Sequence, residues 1–171
     1  RLTSDFLASL ERSELRRFTR ILEEHVWSEE GEVLRQRLLG FCRLHDASSH
    51  FFRRFLQRIV HRYPEYVLLF DQLPRLEVIA KGIFARIPNL GTYEQKKEEL
   101  GNYYDLEFLR VGLECLANAP SERVDGDFTE FSDIYLQALF DLCKQEVREE
   151  WRGRVRTRDL LAVYSAGGHG R

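Results

Sequence analysis

Apolar residues recur at every third or fourth position along most of the chain, with charged residues between them. The pattern runs through residues 4–26, 30–45 and 48–62. An amphipathic helix has this period, so each segment is predicted to be helical with one buried face, and 4–26 is open to a division near Ser13. The second segment places Val33, Leu34, Leu38, Phe41 and Cys42 on its apolar side. The third carries a stripe two residues wide, made up of Phe51, Phe52, Phe55, Leu56, Ile59 and Val60.

Prolines and capping patterns bound the predicted helices. Tyr63-Pro64 ends the third helix, because a residue before proline is driven out of the α region. Short helices near 65–72 and 75–86 follow. Thr92 with Gln95 has the capping-box spacing and opens a helix to about Ala117, with a break predicted near Gly101.

The next helix is predicted to begin at Asp127, which forms a second capping pair with Glu130, and to end near Glu150. Its buried stripe is predicted to consist of Phe131, Ile134, Tyr135, Ala138, Leu139, Leu142 and Val147.

The character of the sequence changes after Trp151. Arginines alternate over residues 152–158, and the apolar run 159–164 ahead of Gly167-Gly168 is typical of a buried strand. The predicted fold is therefore all-α: an irregular bundle of seven to eight helices over residues 1–151. Residues 152–171 then form a linker and a first strand. Since a lone strand is unstable, its sheet partners are expected beyond Arg171.

Composition narrows the function only slightly. The 171 residues carry a formal net charge of −2, which argues against coating nucleic acid or a membrane by bulk charge. No stretch approaches the roughly 18 uncharged apolar residues of a membrane span. Three cysteines and no apolar leader favour a cytoplasmic protein. The absence of methionine is interpreted as the mark of a fragment, or of modified methionines left unwritten.

Gly167 and Gly168 are the candidate nucleotide-binding residues. Glycines directly after a strand let a phosphate approach backbone N–H groups with no Cβ in the way. The alternative is an ordinary surface turn.

Four segments resemble the glutamine synthetase adenylyltransferase group of nucleotidyltransferases. Residues 109–116 (LRVGLECL) resemble its Leu-Arg-Ile helix, residues 128–136 (FTEFSDIYL) its Thr-x-x-Glu-Leu-Ser helix, and residues 55–64 a helix ending in Arg-His-Pro. The segment 160–168 resembles the opening of its palm domain.

The resemblance implies transfer of an adenylyl group from ATP with Mg²⁺ onto a tyrosine of a partner such as glutamine synthetase, or the reverse reaction. It places Gly167 and Gly168 on the triphosphate side. The family's Gly-Lys-Leu run is replaced here by residues 164–166 (YSA), and its metal-binding Asp pair is not within the 171 residues. The chain alone is therefore predicted to be inactive, with no catalytic and no metal-binding residue assigned.

Three other patterns have structural explanations. Asp125 and Asp127 have the spacing of paired metal ligands, but Asp127 is predicted to cap a helix instead. Cys42 and His45 would be half of a zinc site with no second half, so packing is the favoured interpretation. The Arg152–Arg158 run could meet phosphates or be a solvated linker, and the linker is favoured.

A non-catalytic helical module that binds proteins is the rival hypothesis. Its support is a weak repeat, in which the helix at Phe55–Pro64 is echoed from Ile79 to Pro88. An Asp-x-Asp pair soon after Arg171 would favour the enzyme. Nucleic-acid binding through the arginine run has the least support, given the net charge.

Overall fold

A computed structural model describes residues 29–63, 66 and 69–150, together with isolated helical positions 12, 16, 17 and 20. These residues form five α-helices joined by short connections, with one 3-10 turn at Ile87–Asn89 and no strand among them. The helices are α1 (Glu29–Ala47), α2 (His50–Arg62), α3 (Leu73–Arg86), α4 (Tyr93–Leu116) and α5 (Ser121–Glu150). The all-α prediction is confirmed for this part of the chain.

Local signals account for most helix ends. The hydroxyl of Ser49 accepts a hydrogen bond from the Phe52 N–H at 3.3 Å and caps α2. The capping box of Thr92 and Gln95 opens α4 as predicted, with both of its hydrogen bonds at 3.2 Å. Asn118 adopts φ 59° after the end of α4, the left-handed conformation that commonly terminates a helix.

Helix α4 is the centre of the bundle. It contacts α3 and α5 extensively and also touches α2. Its side chains include Leu100, Leu106 and Leu109, each almost completely buried. Each such leucine contributes about 1.5–3 kcal/mol by leaving water. Every site described below therefore includes residues of α4.

The predicted break in α4 is wrong. The helix runs through Gly101 without interruption because Leu100 and Tyr103, on either side of it, are both buried in the core. Gly112 has a different role: a Cβ there would overlap the Phe52 ring. Its lack of a side chain lets α2 pack closely against α4.

The predicted start of α5 is also wrong. The helix begins at Ser121, directly after Pro120, whose carbonyl accepts hydrogen bonds from the N–H groups of Arg123 and Val124. Asp127 therefore lies inside the helix and is not a cap. Its carboxylate instead contacts α4, as described below.

Four side chains at the edges of the predicted apolar faces are exposed, although they were predicted to be buried. They are Val33, Phe51, Ile134 and Val147. A stripe two residues wide does not reveal which of its edges faces the core. Most of the predicted helix at 4–26, positions 65, 67 and 68 of the predicted helix at 65–72, and the whole predicted strand lie outside the described residues. In the rest of 65–72, Tyr66 is helical and residues 69–71 form a turn. The count of seven to eight helices therefore stays a prediction. None of the helices that the structure describes is long and apolar enough to cross a membrane.

Candidate functional sites

The residues singled out from sequence fall into two groups. Gly167 and Gly168 lie outside the described residues, so their role stays a prediction. Asp125 and Asp127 are both in α5, and Asp127 is paired with an arginine. No group of three His, Cys, Asp or Glu residues in the described part of the chain could hold a metal ion.

Arg110 is the centre of a buried ion cluster between α4 and α5. Its Nε lies 2.9 Å from Glu107 Oε2, and its Nη1 lies 3.0 Å from both Glu114 Oε1 and Asp127 Oδ2. The spacing i, i+3 and i+7 puts Glu107, Arg110 and Glu114 on one face of α4. The side chain of Arg110 is 11% exposed and that of Glu107 only 4%. The cluster is therefore largely shielded from water.

A second arginine completes the cluster. Nη2 of Arg123 lies 3.3 Å from Glu114 Oε1, while the other oxygen of Glu114 is buried without a hydrogen-bond partner among the described residues. Two arginines thus meet three carboxylates from two helices. The pairs Arg110–Asp127 and Arg123–Glu114 join α5 to α4.

Burial and pairing compete in setting the pKa values of this cluster. Burial raises the pKa of Glu107 against the opposing effect of Arg110. Burial works to lower the pKa of Arg110, but hydrogen bonds to Asp127 and Glu107 and the charges of Glu107 and Glu114 outweigh it, so that pKa is raised. Arg110 therefore stays a cation at every physiological pH.

An open cavity of about 490 Å³ lies beside the cluster, between α3, α4 and α5. Its walls combine apolar rings with paired charges, and they include Lys81, Phe84, Tyr103, Glu107, Asp127 and Phe131. Burial raises the pKa of Tyr103 to about 12. The hydroxyl is thus protonated at neutral pH and can donate a hydrogen bond, but it is no nucleophile. The charges nearby are mostly paired with one another, as Lys81 is with Glu77 at 2.6 Å.

A groove between α2 and α4 is the second candidate, with a volume of about 510 Å³. We call it the aromatic–arginine groove. It is lined by four rings and two guanidiniums, those of Phe51, Phe55, Tyr104, Phe108, Arg54 and Arg58. Three of the rings pack on one another, with the Phe55 and Phe108 centroids 4.6 Å apart and edge to face, and the Tyr104 and Phe108 centroids 5.9 Å apart.

One buried carboxylate stands at the edge of this groove. Asp105 Oδ1 accepts a hydrogen bond from Arg58 at 2.7 Å, and Arg62 Nη1 lies 3.6 Å from Oδ2. Burial raises the pKa of Asp105, although both arginines work to lower it. Arg58 also lies over the Phe55 ring, 5.1 Å from its centroid, which holds the guanidinium at the groove.

Neither the ion cluster nor the groove was identified from the sequence. The signal for the cluster was the triad of Glu107, Arg110 and Glu114 on a face of α4 otherwise expected to be apolar. The signal for the groove was α2 itself, which has four arginines and no acidic residue in 13 positions. Both signals become specific only when the neighbouring helix is known.

Comparison with known proteins provides no identification. No protein-family model, no curated protein and no solved structure matches the chain.

Proposed function

We propose that this chain is the helical portion of a nucleotidyltransferase of the adenylyltransferase type, which transfers an adenylyl group from ATP to a partner protein or removes it. The proposal rests on the resemblance of residues 109–116 and 128–136 to two helices of that family. Its structural support is that the two segments lie on adjoining helices, α4 and α5. Arg110, near the start of the first segment, contacts Asp127, which directly precedes the second. The arginine of the Leu-Arg pattern thus ties one of the resembling helices to the other.

The chemistry of the described residues determines which parts of the chain take part in the transfer reaction. None of their acidic clusters is suited to Mg²⁺, because the carboxylates between α4 and α5 are neutralised by arginines. No step of the transfer is therefore assigned to α1–α5. The helices act as a rigid support, and Gly167 and Gly168 would offer backbone N–H groups to the triphosphate.

Transfer of labelled nucleotide tests the proposal. The longest natural protein containing this sequence would be incubated with Mg²⁺, ATP labelled at the α-phosphate, and glutamine synthetase as acceptor. Label should appear on the acceptor, and Gly168→Val should abolish it, because a β-branched side chain would block the approach of the phosphates. Gly126→Val is the matched control, since a Cβ at Gly126 meets nothing within 4 Å.

Two results would overturn the proposal. One is full transfer by the Gly168→Val protein with an unchanged circular dichroism spectrum. The other is the absence of label on any acceptor with each of the four nucleoside triphosphates. The 171-residue chain alone should bind ATP and Mg²⁺ no better than millimolar in calorimetry.

A non-catalytic role in protein interaction is the second candidate function. The observation that favours it is the aromatic–arginine groove, where Phe51 is 73% exposed beside three further rings. An exposed aromatic side chain in a groove lined by further rings is typical of interaction surfaces. Absence of nucleotide transfer together with saturable binding of a protein partner at this groove would favour this function over the first.

A further inference from the structure

We infer that the aromatic–arginine groove binds an acidic amphipathic helix of a partner protein. In this complex, apolar side chains of the partner lie against the rings, and its carboxylates meet Arg54 and Arg58. The inference goes beyond nucleotidyl transfer and deepens the second candidate function, on which it rests, because it states the chemistry of the partner that this groove binds. Failure of the inference would leave nucleotidyl transfer untouched.

Four aromatic rings are grouped along the groove. Single exposed hydrophobic residues are common on protein surfaces and require no explanation. Phe51, however, is 73% exposed and opens onto the same groove as Phe55, Tyr104 and Phe108. Tyr104 and Phe108 are one helical turn apart on α4 and stack with centroids 5.9 Å apart. The groove therefore combines the exposed Phe51 with the half-buried rings of Tyr104 and Phe108, while Phe55 is itself buried.

The charges of helix α2 are unbalanced. It has four arginines and no acidic residue, although the whole chain carries a net charge of −2. Arg54 is exposed and makes no hydrogen bond or ion pair with the described residues. Arg58 contributes one N–H group to Asp105 and keeps 57% of its side chain in water. The chemistry that complements these two guanidiniums is a carboxylate.

The geometry favours a protein helix over a nucleic-acid strand. Phe51, Phe55 and Arg58 follow one another at i, i+4 and i+7 along α2, and Tyr104 and Phe108 run along α4. A cleft between two helices with anchors at this spacing suits a third helix laid into it. A nucleic-acid strand needs a series of phosphate contacts, whereas Arg54 and Arg58 are the only two cations among the described residues that line the groove.

The test uses two designed peptides that differ only in charge. Both are amphipathic helices of about 16 residues with leucines on one face. One carries glutamates beside the leucines, and the other carries lysines at those positions. Binding to the 171-residue protein is measured by fluorescence anisotropy at fixed ionic strength. We expect the glutamate peptide to bind at least about tenfold more tightly than the lysine peptide, since opposite charges then meet at the groove.

Two variants locate the binding at the groove. Arg54→Glu should reverse the preference, so that the lysine peptide becomes the tighter ligand. Phe51→Ala should weaken binding of the glutamate peptide by about tenfold or more, as expected for an aromatic anchor. Arg75→Glu and Val78→Ala are the matched controls, because both residues are exposed on α3 away from the groove. They should leave both affinities unchanged.

Several outcomes would overturn the inference. Equal binding of the two peptides, or an unchanged preference in Arg54→Glu, would show that the groove does not select acidic helices. Tighter binding of a single-stranded oligouridylate than of the glutamate peptide would make the groove a nucleic-acid site. A dimer in analytical ultracentrifugation that Phe51→Ala dissociates would show that a second copy of the chain covers it. Phe51 and Arg54 are exposed, so thermal melts should confirm that both variants fold.

Discussion

Arginine meets carboxylate on two sides of helix α4, with opposite consequences. Toward α5, Arg110 is 11% exposed and contacts three carboxylates. Toward α2, Arg58 is 57% exposed and contacts one. Removing an ion pair from water costs several kcal/mol per ion, and this cost is repaid only where every charge is paired. The pair of Arg58 with the buried Asp105 keeps its cation largely in water, so it costs less to form and contributes less. Arg110 and its carboxylates thus hold α4 and α5 together, whereas Arg58, on the other side of α4, remains available to bind a partner.

The largest effect should come from Arg110. Substitution by Met keeps the length of the side chain but leaves Glu107 and Glu114 buried without their main partner. We expect the free energy of unfolding to fall by about 3–5 kcal/mol, as when one partner of a buried ion pair is removed. Urea denaturation followed by circular dichroism measures it. A loss below about 1 kcal/mol would show that water reaches the cluster and that the contrast with Arg58 is not one of burial.

The contact between α2 and α4 should depend on shape rather than on charge. A Cβ at Gly112 would overlap the Phe52 ring. Gly112→Ala should therefore cost about 1–2 kcal/mol, because the half-buried ring must turn away from its present position. Gly101→Ala is the matched control in the same helix. It meets nothing within 4 Å and should instead stabilise the protein by about 0.5–1 kcal/mol. Equal melting temperatures of the two variants would contradict this account.

Local chemistry explains which parts of this fold were predictable. The capping box at Thr92 and the buried positions Leu56 and Ile59 depend on residues within one or two turns, and they were predicted correctly. Asp127 was misread because its sequence neighbourhood suits a helix start, whereas its partner Arg110 lies 17 positions earlier in another helix. Phe51 was misread because the apolar stripe has two edges, and only the position of α4 determines which one is covered. Both candidate sites consist of contacts between helices, which periodicity does not specify.

Substitution of Arg58 should lower the free energy of unfolding much less than substitution of Arg110. Arg58→Met removes an exposed guanidinium, and Arg62 remains within 3.6 Å of Asp105. The expected loss in unfolding free energy is about 1 kcal/mol or less. Measured beside Arg110→Met in the same buffer, it gives the contrast directly. If the two variants lost the same stability, exposure would not be what separates the two sides of α4.

The smallest effect concerns the pH dependence that Glu107 imparts. Burial holds its pKa in the folded chain above that of the unfolded chain. Between these two pKa values the folded chain binds more protons, so the contribution of Glu107 to stability falls as the pH rises through that interval. Glu107→Gln removes this titration while keeping the shape of the side chain. The melting temperature of the wild type relative to that of the Gln variant should therefore be higher in acid than at neutral pH. Asp105→Asn should show the same trend, because burial also raises the pKa of Asp105.

A relative melting temperature that instead rose with pH in the Glu107→Gln comparison would mean that pairing with Arg110 outweighs burial at that carboxylate. The two sides of α4 would then differ in their partners and not in their exposure to water.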